Sequence, residues 1–284
     1  MNSPFRGSAS ALTRQQLRAT RFTRVQRDVY VLTPAAVTLA VRVDAALALF
    51  PDAVVSHQTA ALLLGLPAND DGRVHLTRAE ASAASERDDV RVHRAEVGRS
   101  DVLSVDGRRI TGPARTYLDL AASLARVELV VLADAVTRRI GVAAVERRLK
   151  KAYRIRGVRR ARAALALADP LADSPAETRT RLILHGAGFS RLRHGVDVSV
   201  DGGWLARPDL ADVEAKVAVQ YDGLVHLGDD PERRRRDIDR DELLRQHGWQ
   251  VVVLTAVDLR NPHRMVEKVA AAYARALSGG SRPT

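Results

Sequence analysis

Four residues able to handle a phosphate, Asp209, Gln220, Asp222 and His226, fall within the stretch "RPDLADVEAKVAVQYDGLVH". The apolar run "AKVAVQY" has the length and β-branched content of a strand, and "WLARPDLA" before it reads as another. Asp209 lies near the end of the first strand, and Gln220 and Asp222 near the end of the next. A hairpin brings those ends together, and His226 follows one short loop later. Polar groups delivered to strand ends in a small mixed sheet can hold a divalent cation against a phosphate. Each residue also has a plainer reading: Asp222-Gly223 as a turn and His226 as a loop histidine.

The elements around this stretch follow from the chain's punctuation. "LADPLADSPAE" interrupts an alanine-rich helix and places a domain boundary between residues 168 and 174. Ser174 starts a new helix with Pro175 in its first turn, and Glu177 completes a capping box with Ser174. From there the order is α-β-β-β-α-β-α. Early strands meet as hairpins and the last returns after a crossover helix, which predicts a mixed sheet with helices on both faces. Trp249 and Val251 to Val253 are expected in the core. Residues 1–168 read as α+β, with strands "GRVHLTR" and "DVRVHRAEV" and a helix after Pro113. In "SHQTAALLLGLP", Ser56 reads as an N-cap followed by a surface histidine, His57.

Composition narrows the function. The 284 residues carry a net charge of +11, and lysine occurs only at 150, 151, 216 and 268, so the excess is arginine. Guanidinium groups match phosphate geometry, which points to nucleic acid. Two runs are candidates for backbone contact. Residues 147–162 hold nine Lys or Arg and no acid, Arg159 and Arg160 among them. The helix "DPERRRRDIDRDELLRQHG" supplies Arg234, Arg235 and Arg240. Solvated helix faces account for the same runs without DNA, and Arg240 has the helical spacing to pair with Asp237. Cysteine is absent, which excludes thiolate metal sites, disulfides and a cysteine nucleophile and fits a reducing cytosol. No run approaches the ~20 apolar residues of a membrane span, and the start lacks the apolar core of a secretion signal. A cytoplasmic protein without a membrane partner is expected.

The run "RPDLADVEAKVAVQYDGLVH…RRRRDIDRDELLRQHGWQVVVLT" resembles the Vsr-like (very-short-patch-repair-like) endonuclease domains of the PD-(D/E)XK, restriction-endonuclease-like superfamily. Asp209, Asp222, Gly223, His226, Asp237, Arg240, Leu243, Gly248 and Trp249 occupy its pattern in order, and the resemblance covers residues 174–277 of a domain read as 174–284. The resemblance implies a restriction-endonuclease-like α/β fold and Mg2+- or Mn2+-dependent cleavage of DNA. It makes Asp209 a metal ligand, sets Asp222 and His226 beside the scissile phosphate, and brings Glu177 in from the first helix. The departure is Gln220, which stands where the pattern has Glu. An amide offers a metal one carbonyl oxygen and no charge, and it removes a base for the attacking water. Asp222 then serves as second acid and ligand beside Asp209 and Gln220, and His226 as proton donor or acceptor.

"VVSHQTAALLLGLP", "VHLTR", "VRVHRAEV" and "ITGPARTYLDLAA" are similar to the AbiEi-type antitoxin and regulator proteins, whose N-terminal winged helix binds DNA. Only a shortened remnant, "LTRQQLRAT…VYVL", precedes the shared part here. The resulting expectation is a DNA endonuclease or nickase. The alternative is a non-catalytic DNA-binding or antitoxin-like regulator on a nuclease fold, with a toxin or other protein as partner.

Overall fold

In chain order the first half contains strand β1 (Phe5–Arg6), helix α1 (Arg14–Leu17), β2 (Phe22–Gln26), β3 (Val29–Leu32), α2 (Leu39–Leu49), β4 (Val54–Val55) and α3 (His57–Leu63). β5 (Val74–Arg78), β6 (Val90–Arg94), β7 (Val102–Val105), β8 (Arg108–Thr111) and α4 (Pro113–Leu120) follow. Helices α5 (Arg126–Ile140), α6 (Val142–Lys150), α7 (Val158–Leu165) and α8 (Pro175–Gly186) come next. The last part holds β9 (Val198–Val200), β10 (Gly203–Ala206), β11 (Leu210–Asp212), β12 (Val217–Asp222), α9 (Pro231–Gln246), β13 (Gln250–Thr255), α10 (Ala256–Arg260) and α11 (Pro262–Gly279). The structure is a computed structural model and describes residues 3–34, 36–80, 87–200, 203–223 and 231–279. It is an α+β chain that divides into two compact units: Met1–Leu124 with Ala143–Ala163, and Ala125–Val142 with Ala164–Thr284. Among the described residues no helix is long and apolar enough to cross a membrane.

In the first unit, β1, β3 and β2 form an antiparallel sheet, and a five-stranded mixed sheet runs in the order β6-β5-β4-β8-β7. The β7–β8 turn has Asp106 and Gly107 both at positive φ, as an Asp-Gly hairpin requires. Alternation in β5 sends Val74 and Leu76 into an apolar core with Val43, Ala46, Val55, Val90 and Ile110. The opposite face is buried too, and it is polar: His75, Thr77, Ser56 and Thr59 are all nearly inaccessible. Ser56 and His57 therefore depart from expectation. Ser56 precedes α3 but its side chain makes no capping bond. It bonds to His57 and Thr77 instead, and His57 is largely covered rather than a surface residue.

In the second unit, β11, β12 and β13 form a mixed sheet, with β11–β12 antiparallel and β12–β13 parallel across the crossover helix α9. "WLARPDLA" is two strands, not one, because Pro208 has no N–H for a ladder. β10 then pairs with β9 in a separate two-stranded sheet. One face of β11-β12-β13 packs Leu210, Val217, Val219 and Leu254 on Leu184 of α8 and on Met265 and Val269 of α11. The other packs Ala211, Ala218 and Trp249 on Leu244 of α9 and on Ala206 of β10. Val252 is buried as expected, but Val253 is 36% exposed, since it shares the second face near the strand ends, where packing thins. The sequence ends the first domain at 168. In the structure α5 packs with α8 in the second unit, held by Asp134.

Candidate active site at the strand ends of the second unit

The β11–β12 register pairs Leu210 with Val219, and one step further it sets Asp209 opposite Gln220. The Tyr221 backbone N–H donates to Asp209 Oδ2 at 2.6 Å, which ties this carboxylate to the end of β12. Gln220 and Asp222 are two residues apart on one strand and so share a face. Gln220 is 5% exposed, whereas Asp222, the last residue of β12, is open to solvent. Three of the residues read from the sequence are thus brought to one sheet end. His226 lies outside the described residues.

Gln220 Nε2 is buried and has no hydrogen-bond partner among the described residues. Such an atom costs about 1–3 kcal/mol unless something meets it. A half-turn of the amide exchanges its nitrogen and oxygen. The same buried position thus offers a carbonyl to a cation or an N–H to a phosphate oxygen. With Asp209 and Asp222 on that face, the donor set fits a hard cation such as Mg2+. Among the described residues no group of three or more His, Cys, Asp or Glu side chains is arranged around a metal.

Glu177 sits in the first turn of α8, and its carboxylate works on the helix start. Ser174 Oγ donates to Oε1 and the Asp173 N–H to Oε2, each at 2.8 Å, while the Glu177 N–H donates back to Ser174 Oγ. The helix is fixed from below by Asp134 of α5. That buried carboxylate accepts from the Asp169 N–H, Thr178 Oγ1 and Arg181 Nη2, and burial raises its pKa.

Sequence reasoning missed His194. Its Nδ1 lies 2.6 Å from the Asp209 carbonyl oxygen, which can only accept, so Nδ1 carries the proton. The same nitrogen is 3.9 Å from Glu177 Oε2, beyond hydrogen-bond reach, so the ring lies between the α8 acid and the Asp209 backbone. Burial pushes the His194 pKa down, and its buried Nε2 has no hydrogen-bond partner among the described residues. A lone histidine in "RLRHGVD" carries no spacing signal that marks it.

The arginines divide. In the first unit Arg159 is exposed on α7. Arg160 donates to the carbonyl oxygens of Ala122 and Leu124 and holds α7 in place. Gly157, at φ +87, lets that helix start against the same segment, where a Cβ would come within 2.6 Å of the Ala122 nitrogen. In the second unit Arg235 is exposed, and Arg240 is half-buried 3.9 Å from Asp241. Arg234 belongs to α9, but its side chain lies outside the described part.

No family model matches this chain. Two proteins of Mycobacterium tuberculosis, uncharacterized protein MT2308 and uncharacterized protein Rv2248, are similar to it. Each is 30% identical over 182 residues, which is 62% of this chain and 66% of the relative. The chain thus spans just under two thirds of the length of these relatives.

Proposed function

We propose that the second unit is a metal-dependent DNA endonuclease or nickase of the restriction-endonuclease-like kind. The observation that carries this reading is the meeting of Asp209, Gln220 and Asp222 at one open end of a mixed β11-β12-β13 sheet. Asp209 and Asp222, with the Gln220 carbonyl, would hold Mg2+ or Mn2+, which supplies positive charge to the phosphate under attack. Asp209 is held for this by the Tyr221 amide and the His194 contact to its backbone. His226 is the proposed proton carrier. The net charge of +11 suits DNA as partner, with exposed Arg159 and Arg235 as candidate phosphate contacts. Absence of cysteine accords with a cytoplasmic setting.

A second reading has its own support. Glu177 is engaged at both carboxylate oxygens, and Gln220 brings no charge. A DNA-binding or antitoxin-like regulator that keeps the fold without the chemistry, with a toxin or other protein as partner, accounts for both. Calorimetric titration with Mn2+ separates the two. The nuclease reading expects Gln220→Glu to tighten binding and Asp209→Ala to abolish it. The regulator reading expects no specific Mn2+ binding in either the parent or Gln220→Glu.

A further inference from the structure

The buried polar face of the five-stranded sheet in the first unit is unlike an ordinary core. β5 and β6 are parallel and in register, His75 beside Arg91 and Thr77 beside His93, so these four side chains share that face. α3 packs on β5 and carries Ser56 and His57 to the same place. Polar groups in such a layer are costly unless bonded, and two hydrogen-bond chains run through it. In the first, the Asp71 carboxylate accepts from His75 Nε2 at 3.0 Å. His75 Nδ1 is then an acceptor, and it meets His93 Nε2 at 3.0 Å. His93 therefore donates through Nε2 and keeps a lone pair on Nδ1. In the second, Thr77 Oγ1 donates to Ser56 Oγ at 2.7 Å, and Ser56 Oγ is 2.9 Å from His57 Nδ1. Ser56 is fully buried, and its hydroxyl proton goes to that nitrogen. His57 is thus left with its proton on Nε2.

The two rings stack, with centroids 3.5 Å apart and planes 12° apart. His57 Nε2 and His93 Nδ1 make no hydrogen bond among the described residues, so adjacent rings offer one free donor and one free acceptor. His57 also has a backbone φ of 51, a left-handed conformation that costs a non-glycine residue about 1–3 kcal/mol and recurs at functional sites. The charged groups facing the cluster are Arg115 from α4, Arg91 from β6, and Arg73 and Asp71 from the lead into β5. Burial first, then the neighbouring rings and arginines, hold His57 down to about 2, and burial, His75 and Arg91 hold His93 to about 4. Both are neutral at neutral pH. Arg115 is paired with Asp101 and Asp119. Exposed Arg91 has no ion-pair partner among the described residues.

We propose that this face binds a phosphate group that keeps at least one P–OH, as inorganic phosphate or a phosphate monoester. His57 Nε2–H and Arg91 hold the anionic oxygens, and His93 Nδ1 accepts the P–OH proton. A sulfate, or a diester within a nucleic-acid backbone, has no proton to give His93 and leaves that lone pair facing an anionic oxygen. The site is independent of the nuclease reading of the second unit.

Calorimetry on the full chain at pH 6, close to the second pKa of a phosphate monoester, tests this with inorganic phosphate, a nucleoside monophosphate and sulfate. Phosphate and the monoester are expected to bind, with sulfate at least roughly 10-fold weaker. Tighter binding of the monoester identifies it as the ligand, and equal binding identifies phosphate itself; either supports the site. His57→Asn and His93→Gln should each weaken phosphate by roughly 10- to 100-fold, and Arg91→Ala, at an exposed position, by several-fold. If the histidine variants do not fold, the parent protein still gives the answer. Of its 8 histidines, the ring resonances of His57, His75 and His93 should move on phosphate addition and those of the others should not. Sulfate binding as tightly as phosphate at pH 6, or phosphate leaving those three rings unmoved, overturns the proposal.

Discussion

His57 and His93 titrate far below the usual 6.5, at about 2 and about 4, and this makes the first unit acid-sensitive. Both rings are neutral in the fold and take up protons in the unfolded chain once the pH drops below about 6.5. Because the folded pKa values are depressed, the unfolded state binds more protons in that window. Stability from these groups is intact above about 6.5 and is lost progressively as the pH falls, down to about 4 for His93 and about 2 for His57. Thermal unfolding of the full chain at pH 7.5 and pH 5 should show a lower midpoint at pH 5, with a smaller difference in His93→Gln. Equal midpoints would contradict neutral, buried rings at His57 and His93. The residue scale is also where the sequence is most and least legible. Asp209, Gln220 and Asp222 are readable because a hairpin register converts spacing directly into neighbours. His194 is not, since its bond is to a backbone carbonyl that no side-chain pattern encodes. Ser56 and His57 are misread for a related reason: a serine before a helix normally caps it, and only tertiary partners, Thr77 and His57 itself, draw the hydroxyl away.

At the scale of elements, alternation and breakers give β5, β6, β12 and β13 and most helices, but not β7 and β8, nor which helix packs on which. α5 is a plain helix in "VELVVLADAVTRRI", and nothing local says that Asp134 will meet Arg181 and Thr178 of α8. Asp134 and Arg181 are 1% and 6% exposed, so their pairing is a buried one. Removing one partner of such a pair leaves an uncompensated charge and costs about 3–5 kcal/mol. Asp134→Ala should destabilise the second unit by that amount in urea. Asp134→Asn, which keeps an acceptor, should cost less. If Asp134→Ala shifts the urea midpoint no more than an exposed control substitution, α8 and its Glu177 are held in place by something else.

For the whole molecule, charge is the one property composition states outright, and the structure sorts which arginines are available to use it. Arg160 is bound to backbone carbonyls and Arg159 is exposed, although they are adjacent in sequence. If the molecule binds duplex DNA through α7, Arg159→Ala should reduce the log–log salt slope by about 0.9. Arg160→Ala should act mainly on stability. Equal slopes for Arg159→Ala and the parent would make that face merely solvated. The breakers in "LADPLADSPAE" do not encode that α5 joins the second unit, which rests on contacts distant in sequence: α5 packs on α8 and buries Leu129, Val130, Leu132 and Val136 along with Asp134. If the strand-end cluster cuts DNA, supercoiled plasmid should be nicked in Mn2+. The parent should nick weakly and Gln220→Glu faster, with no nicking by Asp209→Ala in either background. Intact plasmid with both the parent and Gln220→Glu, or nicking that survives Asp209→Ala, would contradict cleavage by that cluster.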